Sequence, residues 1–170
     1  MSLDDRPDRN FVIQQGLEPP TPEACRPLSA ALRFQPRLVA PLILLATILQ
    51  SAELFLGLAG LQWWSALLPA LNPFDALYRA SFGRRVGAPS LPQAKAPRRF
   101  SMAVAGTFGL LTALAVAQGW RIAAYSLEAF FLIAVTAVAW GKLCFGSFFY
   151  YLLRGEGRFA LATLPWGRGV

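Results

Sequence analysis

Residues 119–154 read GWRIAAYSLEAFFLIAVTAVAWGKLCFGSFFYYLLR, and this stretch decides the fold class. From Ile122 to Trp140 it is almost wholly apolar. As a helix, such a run is long enough to cross a hydrocarbon core of about 30 Å. One carboxylate, Glu128, lies inside it. Lys142 closes it, followed by Cys144 and the aromatic run Phe145, Phe148, Phe149, Tyr150 and Tyr151. The chain therefore reads as an all-α integral membrane protein.

Composition agrees. Of 170 residues, 55% are hydrophobic and 15% charged, whereas soluble domains carry about 25% charged residues. There is no histidine, which removes the commonest general base, metal ligand and haem ligand. No haem or His-ligated metal is expected. Cys25 and Cys144 stand far apart, and no Cys/His spacing suits a metal. The net charge of +7 comes from bases at the ends of apolar segments. It reads as membrane orientation and lipid contact, not nucleic-acid binding. The N-terminus, MSLDDRPDRN, lacks the apolar core of a secretory signal.

Working outward, four spans are expected. Residues 37–58 form the first, with Pro41 in its opening turns. A turn is expected near 57–60. Residues 61–71, LQWWSALLPAL, form a short second span of about 16 Å. Asn72 and Pro73 then cap a short interfacial helix over 73–82, with Asp75 on its positive end. Its Phe74, Leu77, Tyr78 and Phe82 are expected to face the membrane. A basic Gly/Pro loop leads to the third span, Phe100–Gln118, and Gly119-Trp120-Arg121 turns into the fourth. The membrane domain is 37–154 and a short tail covers 155–170. Residues 1–36 are polar and proline-rich, and read as an extended cytoplasmic arm whose Phe11, Val12, Ile13 and Leu17 dock on a partner.

Basic residues set orientation. Arg26, Arg33 and Arg37 precede the first span. Arg79, Arg84, Arg85, Lys95, Arg98 and Arg99 fill the central loop, and Lys142, Arg154 and Arg158 follow the fourth span. With four spans, all three groups fall on one side, so both termini are expected in the cytoplasm of a bacterium, at its inner membrane.

Three candidate sites emerge. Glu53 and Glu128 would lie roughly 7–10 Å below the outer surface, in one layer with Gln50, Gln62, Gln118 and Arg121. An intramembrane carboxylate needs a partner, so these residues read as a polar pocket for a headgroup, quinone, pigment or proton, with Arg121 as counter-ion. Cys144 beside Lys142 is a candidate thiol. Ala105, Gly109, Ala113 and Ala117, each four apart, form a small-residue stripe for close helix packing. Trp63, Trp64, Trp120, Trp140, Tyr150 and Tyr151 suit the membrane–water interfaces.

Three motifs carry a resemblance: Asn72-Pro73-Phe74-Asp75-Ala76-Leu77, Ala96-Pro97-Arg98-Arg99-Phe100-Ser101, and Leu143-Cys144-Phe145-Gly146-Ser147-Phe148-Phe149-Tyr150. Over about residues 33–154 the chain resembles the bacterial membrane family catalogued as domain of unknown function 4395. The resemblance implies four spans and no established activity. The family's closing motif carries paired cysteines, which hint at thiol or sulfur chemistry; Cys144 matches the first, and Ser147 stands at the second.

The expected function is a non-catalytic accessory subunit packed on a larger membrane complex, its partners being lipids and other membrane subunits, with bound lipid or pigment as candidate ligands. One alternative is a membrane thiol-redox or sulfur-handling protein using Cys144. Another is a small transporter, or a quinone- or lipid-binding protein, using Glu53 and Glu128.

Overall fold

The computed structural model describes residues 6–18, 21–82, 89 and 91–168. Among them every regular element is helical: α1 (Arg6–Gln14), α2 (Pro22–Leu32), α3 (Phe34–Leu49), α4 (Ala52–Leu67), α5 (Pro73–Phe82), α6 (Ala96–Ala117), α7 (Arg121–Ala139), α8 (Phe145–Leu153) and α9 (Gly157–Ala162). Four of these, α3, α4, α6 and α7, form an antiparallel ring. α3 packs on α4 and α7, and α6 closes the ring against the same two. Val39, Ile43, Phe55, Leu58, Phe131 and Val135 fill its core.

Among the described residues, three helices are long and apolar enough to cross a membrane: Glu23–Leu49, Ala96–Ala117 and Arg121–Ala139. Large apolar side chains point away from the bundle, with Ile122 87%, Ile48 70% and Ile133 63% exposed. Water would penalise that surface, and hydrocarbon would not. The first crossing helix begins earlier than residue 37 because α2 runs into α3. Pro36 lacks the N–H that would serve the Leu32 carbonyl, and the helix is interrupted there, at Arg33. Pro41 therefore lies inside the helix and not at its start.

The expected turn near 57–60 is not there. The chain reverses at Gln50-Ser51: Gln50 adopts a left-handed conformation (φ 47°), and the Ser51 hydroxyl accepts from the Leu54 amide at 3.2 Å, capping α4. Gly57 and Gly60 sit inside α4, where an added Cβ would meet nothing within 4 Å. α4 thus has 16 residues, about 24 Å at 1.5 Å each. The short segment over 61–71 is the end of this helix and a 3-10 turn at Pro69–Leu71.

The described part of the N-terminal arm is helical and packed. Phe11, Val12 and Ile13 are buried, with Phe11 and Val12 in a cluster that includes Leu32 and Cys144. The described part of the tail is folded too. The Asn10 amide donates to the carbonyl of Leu164 at 2.9 Å, and the Tyr151 and Phe159 rings pack at 4.6 Å. α5 forms as its signals predict, with Asn72 Oδ1 accepting from the Phe74 amide at 3.0 Å. Its face is turned inward, however: Phe74 and Tyr78 are buried, and Phe34 packs edge-on against Tyr78 and Phe82. Arg84 and Arg85 of the central loop lie outside the described residues.

The small-residue stripe serves the α4–α6 contact within the chain. A Cβ on Gly109 would stand 3.0 Å from that of Ala59, and one on Gly106 would run into the Trp63 ring. Ala113 is buried, Ala105 half-buried, and Ala117 exposed. The stripe facing α4 is therefore Met102, Gly106, Gly109 and Ala113, which follows the 3.6-residue helical turn better than strict fours do.

Candidate functional site

The expected outer carboxylate layer separates in the structure. Glu128 is 1% exposed, and Gln50 Nε2 donates to both of its carboxylate oxygens at 3.0 and 3.1 Å. The same amide also reaches the Thr47 carbonyl at 2.8 Å, so the left-handed Gln50 both ends α3 and ties it to α7. Glu53 belongs to a different feature. It is exposed in the first turn of α4 and accepts from Ser51 at 2.9 Å. Gln118 and Arg121 are exposed, and Arg121 forms no ion pair with Glu128. Gln50 and Glu128 thus join α3 to α7.

The cavity lies elsewhere. A space of about 270 Å³ opens between α3, α6, α7 and α8. Its walls are mainly apolar: Met102, Ala105 and Phe108 from α6, Phe130, Phe131, Ala134, Val135 and Val138 from α7, and Phe145 and Phe149 by α8. The polar lining residues are Gln15, Gln35, Gln62, Arg98, Ser101 and Cys144. They gather at one end for a topological reason. α6 starts there with Arg98 and Ser101, antiparallel α7 finishes there, and α3 begins there with Gln35. The opposite end is aromatic, with Phe108 and Phe130 stacked at 5.2 Å.

The polar end is a connected hydrogen-bond chain. Arg98 grips Asp75 of α5 with two nitrogens, at 2.6 and 3.3 Å, and both side chains are buried. It also reaches Gln35 Oε1 at 3.5 Å, and Gln35 Nε2 donates to Gln62 Oε1 at 2.7 Å. Four helices, α5, α6, α3 and α4, meet through these side chains. Sequence reasoning placed Gln62 in the outer layer because it placed the turn near 57–60. With the turn at Gln50-Ser51, Gln62 falls at the opposite end, beside Gln35. Asp75 and Arg98 were read as a helix-end charge and a loop base. Nothing short of the α5–α6 contact pairs them.

Cys144 occupies the first position before α8. Its backbone N–H donates to Gln14 Oε1 at 3.0 Å, which fastens α1 to the α8 terminus. Its Sγ lies 3.2 Å from Ser101 Oγ and 3.4 Å from Ser147 Oγ. Those hydroxyls are 2.9 Å apart, and Gln15 Nε2 donates to Ser147 Oγ at 3.3 Å. This contact requires Gly146: a Cβ there would come within 2.6 Å of the Ser101 Cα. The thiol is buried, on the cavity wall. Lys142 does not face it; Lys142 pairs with Asp8 at 2.8 Å.

A family model described as Domain of unknown function (DUF4395) matches residues 29–155. No curated protein and no solved structure matches the chain.

Proposed function

This chain belongs to that family of unknown function, and we propose that it holds a lipophilic small molecule inside its helical bundle, in the cavity between α3, α6, α7 and α8. One observation carries the reading. The cavity has the few-hundred-Å³ scale of small-molecule sites, with apolar walls and polar groups converging at one end. An amphiphile of the bilayer has that same polarity. We place the chain in a bacterial inner membrane with four crossings, α4 supplying the fourth, and with both termini on the cytoplasmic side. Supporting this, Arg33, Arg37, Arg98, Arg99 and Lys142 gather at the polar end, while the opposite turns carry Arg121 as their base.

The test is purification in a mild detergent, extraction of bound lipophiles into organic solvent, and mass spectrometry. The reading expects one class of molecule retained near one per chain, and its loss in Ala134→Phe, which fills the cavity from α7. Equal, unselective lipid in both proteins would contradict it.

A second reading has a specific observation in its favour. Cys144 puts a thiol on the cavity wall, held by Ser101 and Ser147. A single-thiol function on a lipophilic substrate is therefore the alternative, with Ser147 standing where the family resemblance has a second cysteine. It expects Cys144→Ser to abolish turnover while retaining the ligand. In the accessory-subunit reading the docking surface is other than Phe11, Val12 and Ile13, which are buried within this chain. Migration of the native protein within a larger complex would support that reading.

A further inference from the structure

We propose that the ligand of this cavity carries a neutral hydrogen-bond acceptor, a carbonyl oxygen, at its head, and that Gln62 Nε2 is the group that reads it. This rests on the cavity reading above and adds the chemical class.

The direction of the hydrogen-bond chain carries the inference. Arg98 is a donor only. Facing Arg98, Gln35 must present its oxygen, as it does at 3.5 Å. Its amide nitrogen is then the end turned to Gln62, and it donates to Gln62 Oε1 at 2.7 Å. Gln62 is left with its –NH₂ as the terminal group. That nitrogen makes no hydrogen bond among the described residues, although Gln62 is 8% exposed and lines the cavity. The nitrogen is open to the cavity and has no protein acceptor there, and among mainly apolar walls a ligand oxygen is what would satisfy it.

Charge narrows the class further. Arg98 is the cation that lines the cavity, and the bidentate contact with Asp75 neutralises it. A phosphate or carboxylate head would enter a site whose charge is already balanced, and would lose hydration without gaining a counter-ion. A neutral carbonyl avoids that loss. Access is lateral. α8 packs along α6 and touches α7 little. Phe130 of α7 and Phe149 of α8, 48% and 49% exposed, flank the gap, while Phe11 of α1 and Gln15 just after it close the polar end. The molecule thus comes from the membrane, and two sources offer this chemistry: an isoprenoid-type quinone or a lipid ester.

The test uses the full chain in detergent, with three probes: a decyl-substituted benzoquinone, a fatty-acid methyl ester and a plain alkane. Affinity is read from the concentration dependence of the thermal unfolding midpoint. At least one carbonyl probe should bind about five- to tenfold more tightly than the alkane, the worth of one neutral hydrogen bond. Gln62→Met should erase that preference while keeping alkane affinity. Which carbonyl probe binds better identifies the source. A fatty-acid anion should gain nothing over the alkane. No carbonyl preference in the wild type, or one that survives in Gln62→Met, overturns this inference while leaving the cavity reading intact. If no probe binds, or if Ala134→Phe binds all of them as the wild type does, the cavity reading itself falls.

Discussion

Asp8 and Lys142 meet at 2.8 Å across 134 positions of sequence. The contact joins α1 to the turn that follows α7, and Arg33 approaches the same carboxylate at 3.7 Å. With the Gln14 and Gln15 contacts to Cys144 and Ser147, it holds α1 over the polar end of the cavity. Asp8→Asn weakens that hold, at a cost of about 1–3 kcal/mol for a buried charged partner. Cys144 should then react faster with N-ethylmaleimide than it does in the wild type. An unchanged alkylation rate would show that α1 does not shield the thiol.

Glu128 depends on Gln50 in the same way. Gln50→Ala leaves a carboxylate that is 1% exposed without its donor, so destabilisation of about 2 kcal/mol is expected. A double-mutant cycle with Glu128→Ala should give a coupling energy of about 1 kcal/mol or more, measured by unfolding in detergent. Additive effects would mean that the contact contributes nothing.

Glycines separate the turn as read from the turn as found. Gly57→Ala and Gly60→Ala fall in open space inside α4. They should be neutral or stabilising, by up to about 1 kcal/mol each. Gly146→Ala forces α8 away from the Ser101 backbone and should cost about 1–3 kcal/mol. Thermal midpoints in one detergent decide the ordering.

Much of this architecture was legible in the sequence. Long apolar runs mark the helices at 96–117 and 121–139 because lipid-facing helices need apolar side chains on every side. Asn72-Pro73 marks α5 because its capping chemistry is local. The α3–α4 turn was missed because the two glycines resembled a break, whereas the break is a Ser51 cap after a strained Gln50. The helical arm was missed because its prolines argue against helix while its stability comes from tertiary burial of Phe11 and Val12, which no local pattern displays. The cavity was missed for the same reason: Gln35, Gln62 and Arg98 are brought together by three different helices.

Tyr151 supplies a pH dependence outside the spans. Burial, then the nearby Glu156 and Tyr150, push its phenol up to about 12. An unfolded tyrosine titrates near 10. The raised value means that the folded state favours the neutral phenol. Its contribution is complete below about pH 10 and is lost as pH rises toward about 12. Tyr151→Phe keeps the ring contact with Phe159 and should flatten the fall in stability across that window. An identical alkaline profile would sink the assignment.

The most direct measurement is an experimental density map of the protein in a lipid nanodisc. The account predicts an elongated density between Phe108 and Gln62, with its head within hydrogen-bonding distance of Gln62 Nε2 and its tail leaving between Phe130 and Phe149. A collapsed cavity, or one filled only with ordered water, would contradict it.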